Sequence, residues 1–199
     1  MKSIKTAGYL INRAGLPVHY PTHAHVAAFW EALGRAIATF GFLEEVLLKA
    51  VFAITATTQY DEEKIEDAYE AWIPTLTRSL SDPLGNLIDT YGKAVRNNSS
   101  ANTDDLEGLL DRLRKACKIR NAICHGSWRA PDFEGFSVPF YVNRQGHIFD
   151  TPIDLTFLAQ TRTAVSELSC SVIETVTRMG WQFPGSNGPG RVLWQKGME

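Results

Sequence analysis

The sequence predicts an all-α protein, an up-and-down bundle of four to five helices with a small β-hairpin inserted before the last long helix. Three observations predict it. Apolar residues recur at spacings of three and four over several long windows, the signature of amphipathic helices. No internal repeat of solenoid length is present, which leaves a bundle as the architecture. One stretch alone, FSVPFYV followed by NRQG and HIFD, reads as strand, turn and strand.

Residues 1–24 contain Gly15, Pro17 and Pro21 with no sustained period and read as an irregular arm. From Val26 to Ile54 the residues Phe29, Leu33, Ile37, Phe40, Leu43, Leu47 and Val51 keep helical spacing, giving a long first helix. A second helix from about Glu62 to Leu80 carries Ile65, Tyr69, Trp72, Ile73, Leu76 and Leu80 as its stripe, with Pro74 as an expected kink. Asp82 and Pro83 then read as cap and first-turn proline of a shorter helix bearing Leu84, Leu87, Ile88, Tyr91 and Val95. The polar run RNNSSANT, 96–103, closes it as a loop.

A third long helix opens on Asp104, Asp105 and Glu107, acids suited to the positive end of the helix dipole, and carries Leu106, Leu109, Leu110, Leu113, Cys117 and Cys124 on one face. Gly126 stands where a helix-terminating glycine is expected. The hairpin is expected at about 133–151, with Pro139 confining its first strand to an edge. A last helix, about 154–180, shows Leu158, Val165, Leu168, Val172, Val176 and Met179. The domain organisation is thus an arm (1–24), a helical domain (25–180) and a Gly/Pro-rich C-terminal tail (181–199), expected to be flexible.

The 199 residues, 44% hydrophobic and 21% charged, suit one soluble globular domain with a sizeable core. No window reaches the ~18 consecutive apolar residues of a membrane span, and MKSIKTAGYL lacks the apolar core of a signal peptide, so the expected location is cytoplasmic, away from membranes. The three cysteines, 117, 124 and 170, form no CxxC and indicate neither a disulfide framework nor a thiolate zinc site. The sequons at Asn97 and Asn98 have no meaning without secretion. A net charge of −2 argues against coating nucleic acid through sheer positive field and leaves a local basic cleft open.

Two charges fall on apolar faces. On a wheel of ~100° per residue, Glu44 lies inside the apolar arc of the first helix, whereas Glu31, Arg35, Glu45 and Lys49 lie opposite. On the third helix Arg120 falls inside the arc set by Leu106, Leu109, Leu113 and Cys117, with Asn121 and His125 at its edge. A guanidinium cannot shed its charge and an isolated buried carboxylate is costly, so Glu44 and Arg120 are expected to meet or to share a polar cavity. Two readings stay open: a structural ion pair bracing two helices, or a functional pocket.

Asn121 and His125 are four residues apart, hence on one helical face, with Arg120 beside them. Imidazole takes and releases protons near neutral pH, guanidinium is shaped for phosphate, and an amide orients either. Together they suit internal transesterification of RNA, in which a base takes the ribose 2′-OH proton, the oxygen attacks the adjacent phosphate and the cation stabilises the charge that develops. No metal or other cofactor is required. DNA lacks the hydroxyl.

The sequence RNAICH, 120–125, resembles the RNxxxH form of the arginine–histidine motif of the HEPN superfamily, helical-bundle proteins that include ribonucleases of toxin, phage-defence and CRISPR systems. Its place at the end of the third long helix, the following Gly126 and the first-helix phrase GFLEEVL are similar to that family too, over roughly residues 25–180. With 12 Arg, 8 Asn and 5 His, independent placement yields this pattern about 0.01 times per chain, so the motif is specific. The resemblance implies a homodimer with two motifs facing across a composite cleft. It also implies metal-independent cleavage to a 2′,3′-cyclic phosphate and a 5′-hydroxyl. Arg120 would bind the scissile phosphate, Asn121 would orient His125, and Glu44 would be an accessory acid. A toxin or phage-defence role, with an antitoxin or other regulatory protein as partner, belongs to the same implication. The hairpin departs from the bare bundle, and no nucleotidyltransferase is fused to the chain.

Other candidates are Trp128 and Arg129, which could stack on a base and hold a phosphate at the cleft mouth, or serve as packing and surface charge. His19, His23 and His25 lack a carboxylate or cysteine at ligand spacing, so no metal site is assigned there. His147 reads as a surface residue of the hairpin. Arg112, Arg114, Lys115 and Lys118 give the third helix a basic flank, which fits RNA attraction and a solvated face equally. The rival to an endoribonuclease is a catalytically silent dimeric module that binds RNA, a nucleotide or a protein partner. A purely structural bundle leaves the inward Arg120 without a reason.

Overall fold

A computed structural model describes residues 8–101 and 103–188. Five α-helices follow in order: α1 (Ala27–Ala56), α2 (Ile65–Ser79), α3 (Leu84–Asn97), α4 (Leu106–His125) and α5 (Leu155–Thr177), with single 3-10 turns at Arg13–Gly15 and Glu62–Lys64. The all-α class holds. Among the described residues no helix is long and apolar enough to cross a membrane.

Local chemistry sets several boundaries. The Asp105 carboxylate accepts the Gly108 N–H at 2.8 Å to open α4, and Asp154 accepts that of Phe157 at 2.7 Å to open α5. Asp82 is not the cap expected of it. Pro83 occupies the capping position of α3, and the Asp82 carboxylate instead accepts the Asn86 amide at 3.2 Å. Pro74 sits inside α2 without ending it.

α1 is the central helix and packs most extensively on α5, then on α3. Its Phe29, Leu33, Phe40, Leu43, Leu47, Val51 and Ile54 are buried, facing Leu158, Val165, Leu168, Val172 and Val176 of α5 and Leu87, Ile88 and Tyr91 of α3. Each such side chain contributes about 1.5–3 kcal/mol by leaving water. α4 adds Leu109, Leu110, Leu113 and Ile123 to the same core.

The stripe of α2 is not core. Ile65, Tyr69, Ile73 and Leu80 are exposed, and the helix leans on α1 through Trp72, whose indole Nε1 donates to Thr55 Oγ1 at 2.8 Å.

The β-hairpin expected at about 133–151 does not form. Among the described residues there is no strand, only isolated antiparallel bridges joining Ser127 to Phe140, Ser137 to Ile153 and Val142 to Ile148. Pro139 offers no N–H, and the residues on either side of it pair with different partners, so no two rungs of one ladder follow each other. The turn itself persists, with Gly146 at φ 82° donating to the Asn143 carbonyl at 3.0 Å.

Residues 1–7 of the arm lie outside the described residues. The remainder is irregular apart from its 3-10 turn and folds against the start of α1, where Trp30 Nε1 donates to the Thr22 carbonyl at 2.9 Å. Of the tail, 189–199 lie outside the described residues. Residues 181–188 are anchored to the bundle: Phe183 is buried and Gly185 lies against Lys49 of α1.

Candidate functional site

The last two turns of α4 carry Arg120, Asn121 and His125, and the middle of α1 faces them with Glu44. Leu43, Val46 and Leu47 around Glu44 are sealed in the core, so this carboxylate sits at the margin where α1 meets α4. Arg120 Nη2 lies 3.0 Å from Glu44 Oε1, and both side chains are about three-quarters covered, at 25% and 29% exposure. The pair expected from the two helical wheels is formed.

Its quality is unusual. Glu44 Oε1 is enclosed and receives no aligned hydrogen bond, although the guanidinium nitrogen is within ion-pair distance. The contact is therefore a Coulomb attraction whose N–H vectors point elsewhere.

The other terminal nitrogen serves the rest of the motif. Arg120 Nη1 is 3.2 Å from His125 Nε2 and 3.4 Å from Asn121 Oδ1. Guanidinium only donates, so as a hydrogen bond this contact has Nε2 as the acceptor. His125 is exposed, at a helix end open to solvent. Guanidinium has five N–H donors; those of Nη1 face His125 and Asn121 and Glu44 receives none in alignment, so at least two remain for a ligand.

The contact between the motif and the Cys117 thiol was not read from the sequence. Asn121 Nδ2 donates to Cys117 Sγ at 3.8 Å, so the amide bridges the thiol and the arginine. Burial pushes the Cys117 thiol up, opposed by the Arg120 charge and reinforced by Glu44; Cys124 is raised for the same reasons in the same order. Both stay protonated near neutral pH, which disqualifies them as thiolate nucleophiles. The i, i+4 spacing of Cys117 and Asn121 was the available signal.

Trp128 and Arg129 are engaged elsewhere. Trp128 packs edge-on against Phe29, ring centroids 5.0 Å apart, and against His25 at 6.0 Å. His25 stacks on Phe29 at 4.0 Å and its Nε2 lies 2.8 Å from the Arg129 carbonyl oxygen, tying the arm to the segment after α4. The exposed Arg129 guanidinium lies 5.4 Å from the centre of the Phe140 ring. Neither residue shares a polar contact with Arg120, Asn121 or His125 among the described hydrogen bonds.

Gly126 is required for a reason other than the one its position suggested. Its φ of −75° suits any residue, but an added Cβ would lie 2.5 Å from the Ala122 carbonyl oxygen and 2.7 Å from Pro139 Cβ. Close approach of the following loop, not a left-handed turn, selects glycine here.

The flank residue Arg114 is paired with Asp89 at 3.0 Å. Among the described residues no group of three or more His, Cys, Asp and Glu is placed to hold a metal ion. Five grooves of the chain are lined by residues other than Arg120, Asn121 and His125. No protein-family model, curated protein or solved structure matches this chain.

Proposed function

We propose that this protein is an endoribonuclease that cleaves RNA by attack of a ribose 2′-OH on its adjacent phosphate. The observation that carries the proposal is one guanidinium in contact with both His125 Nε2 and Glu44 Oε1, which puts a proton acceptor and a fixed cation within one phosphate's width. His125 Nε2 takes the 2′-OH proton; the 2′-oxygen bonds to phosphorus; the 5′-oxygen leaves with a proton from an acid. The products are a 2′,3′-cyclic phosphate and a 5′-hydroxyl. Arg120 stabilises the phosphorane charge with its two remaining donors. An incoming phosphate competes with His125 for Nη1, so substrate binding itself frees the imidazole lone pair.

Asn121 holds Arg120 in register from Cys117, and Glu44 keeps the guanidinium at the α1–α4 seam. The likeness of RNAICH to the HEPN motif supports this reading, and with it a cytoplasmic homodimer in which a second copy's His125 supplies the acid. A role as toxin or phage-defence effector restrained by an antitoxin belongs to the same proposal.

One observation favours a second reading, a catalytically silent binding module: three of the contacts of Arg120 are satisfied within the chain, as a brace requires. Labelled RNA incubated with purified protein in excess chelator separates the two. Cyclic-phosphate ends from wild type, and loss of cleavage by at least about 10²-fold in both His125→Ala and Arg120→Ala, support the enzyme. Intact RNA, or variants that cut equally well, refute it. A 2′-O-methyl substrate must resist cleavage.

A further inference from the structure

The segment that replaces the expected hairpin builds a groove of about 600 Å³, lined by Arg129, Phe140, Phe136, Phe149, Asp132 and Asp150 among others. Its volume matches that of a small-ligand site. We propose that this groove is a nucleobase subsite, which selects the RNA base flanking the scissile phosphate; this rests on the endoribonuclease reading above.

Three features carry it. First, position: Ser127 and Phe140 exchange backbone hydrogen bonds of 3.0 and 2.8 Å, pinning the aromatic wall two residues beyond His125. Arg129 is four residues from His125, a span of at most about 14 Å. Second, surface: Phe140 is half exposed with the Arg129 guanidinium over its ring, an assembled pair of flat faces of opposite character. Bases stack on such faces, whether ring or guanidinium. Third, charge: the aspartates of the lining repel phosphate, so the base enters and the backbone stays on the Arg120 side. The Asp132 Oδ1 is already committed to the Glu134 and Phe136 N–H groups at 3.0 and 2.9 Å. Asp150 is exposed and makes no ion pair or side-chain hydrogen bond among the described residues. Its carboxylate accepts from the exocyclic amino group of cytosine, adenine or guanine, whereas uracil offers it only the N3–H, flanked by two carbonyl oxygens that repel the carboxylate. The subsite therefore prefers cytosine or adenine over uracil.

The test uses His125→Ala full-length protein, which binds without cutting, and fluorescent hexamers of cytidine, adenosine or uridine read by anisotropy. Expected are tighter binding of the cytidine or adenosine probe than of uridine, a loss of at least about fivefold on adding Phe140→Ala, and disappearance of the base preference on adding Asp150→Asn. Circular dichroism establishes that each variant is folded, and Asp150→Asn, a surface change, keeps the test decisive if Phe140→Ala is not. Equal affinity for the three probes, or a preference that survives Asp150→Asn, overturns the subsite. Cleavage by wild type with an unchanged sequence profile in Asp150→Asn sinks the groove and leaves the ribonuclease standing. Groove-dependent binding without cleavage sinks the ribonuclease and leaves the groove.

Discussion

The contact between Arg120 and Glu44 makes a quantitative prediction about stability that is independent of any RNA. At 3.0 Å two unit charges attract by about 1.4 kcal/mol at the dielectric of water and about 5.5 kcal/mol at an effective dielectric of 20. Desolvation of two side chains that are three-quarters covered offsets much of the larger figure, and the missing alignment at Glu44 Oε1 removes part of the directed bond. The net coupling expected is about 1–2 kcal/mol. Glu44→Gln or Arg120→Met alone leaves its partner's charge enclosed and costs about 1–3 kcal/mol each. The double variant costs less than the two together, by the coupling energy. Urea unfolding of the four proteins, with m constant across them, measures the cycle. Costs that add within about 0.3 kcal/mol would mean that the charges do not brace α1 against α4, and the reasoning from the helical wheels would fail with them.

Two further outcomes follow from the same geometry. Tyr91 is sealed in the core with its hydroxyl 2.7 Å from Thr175 Oγ1, and burial pushes its pKa up to about 12. The unfolded chain loses the proton near 10 and the native chain near 12, so between these values the native state holds the extra proton. Stability present below pH 10 then falls as pH rises, by roughly 2–3 kcal/mol. Tyr91→Phe loses this alkaline limb, and a pH-stepped unfolding series in which wild type and variant decline in parallel would falsify the assignment. Gly126→Ala forces its Cβ against the Ala122 carbonyl and Pro139, displacing the loop after α4. The expected destabilisation is about 1–3 kcal/mol by thermal melting, and a neutral result would show that this approach is not tight.

The helices were legible because their apolar positions repeat at 3.6 residues over long runs, and Glu44 and Arg120 were legible because a charge inside such a run demands a reason. What periodicity cannot state is what a face meets. α2 has a stripe as regular as that of α1, yet Ile65, Tyr69 and Ile73 are exposed, since α3, α4 and α5 all pack on the central helix more extensively than α2 does. The hairpin was misread for the complementary reason: residues 136–142 alternate as a strand would, but Pro139 interrupts the donors and each neighbour finds a separate partner. Asn98 was hidden in a run of polar residues. It is 4% exposed and its amide donates to the Ile54 carbonyl at 2.8 Å, closing the end of α1, a long-range bond that no local pattern announces.

The residue type at 120 reconciles the two readings of the ion pair. Its Nη2 engages Glu44 on α1 while Nη1 engages His125 one turn further along α4, so one planar group spans a structural partner and a chemical one. A lysine ammonium is a single point and satisfies one of these at a time. A brace alone needs only a positive charge, and the proposed catalysis alone needs only a cation near a base. A group that must reach both at once, with donors left over for phosphate, has to be a guanidinium. The pair that fixes Arg120 against α1 therefore also fixes the guanidinium that meets His125, and structure and proposed chemistry draw on the same group.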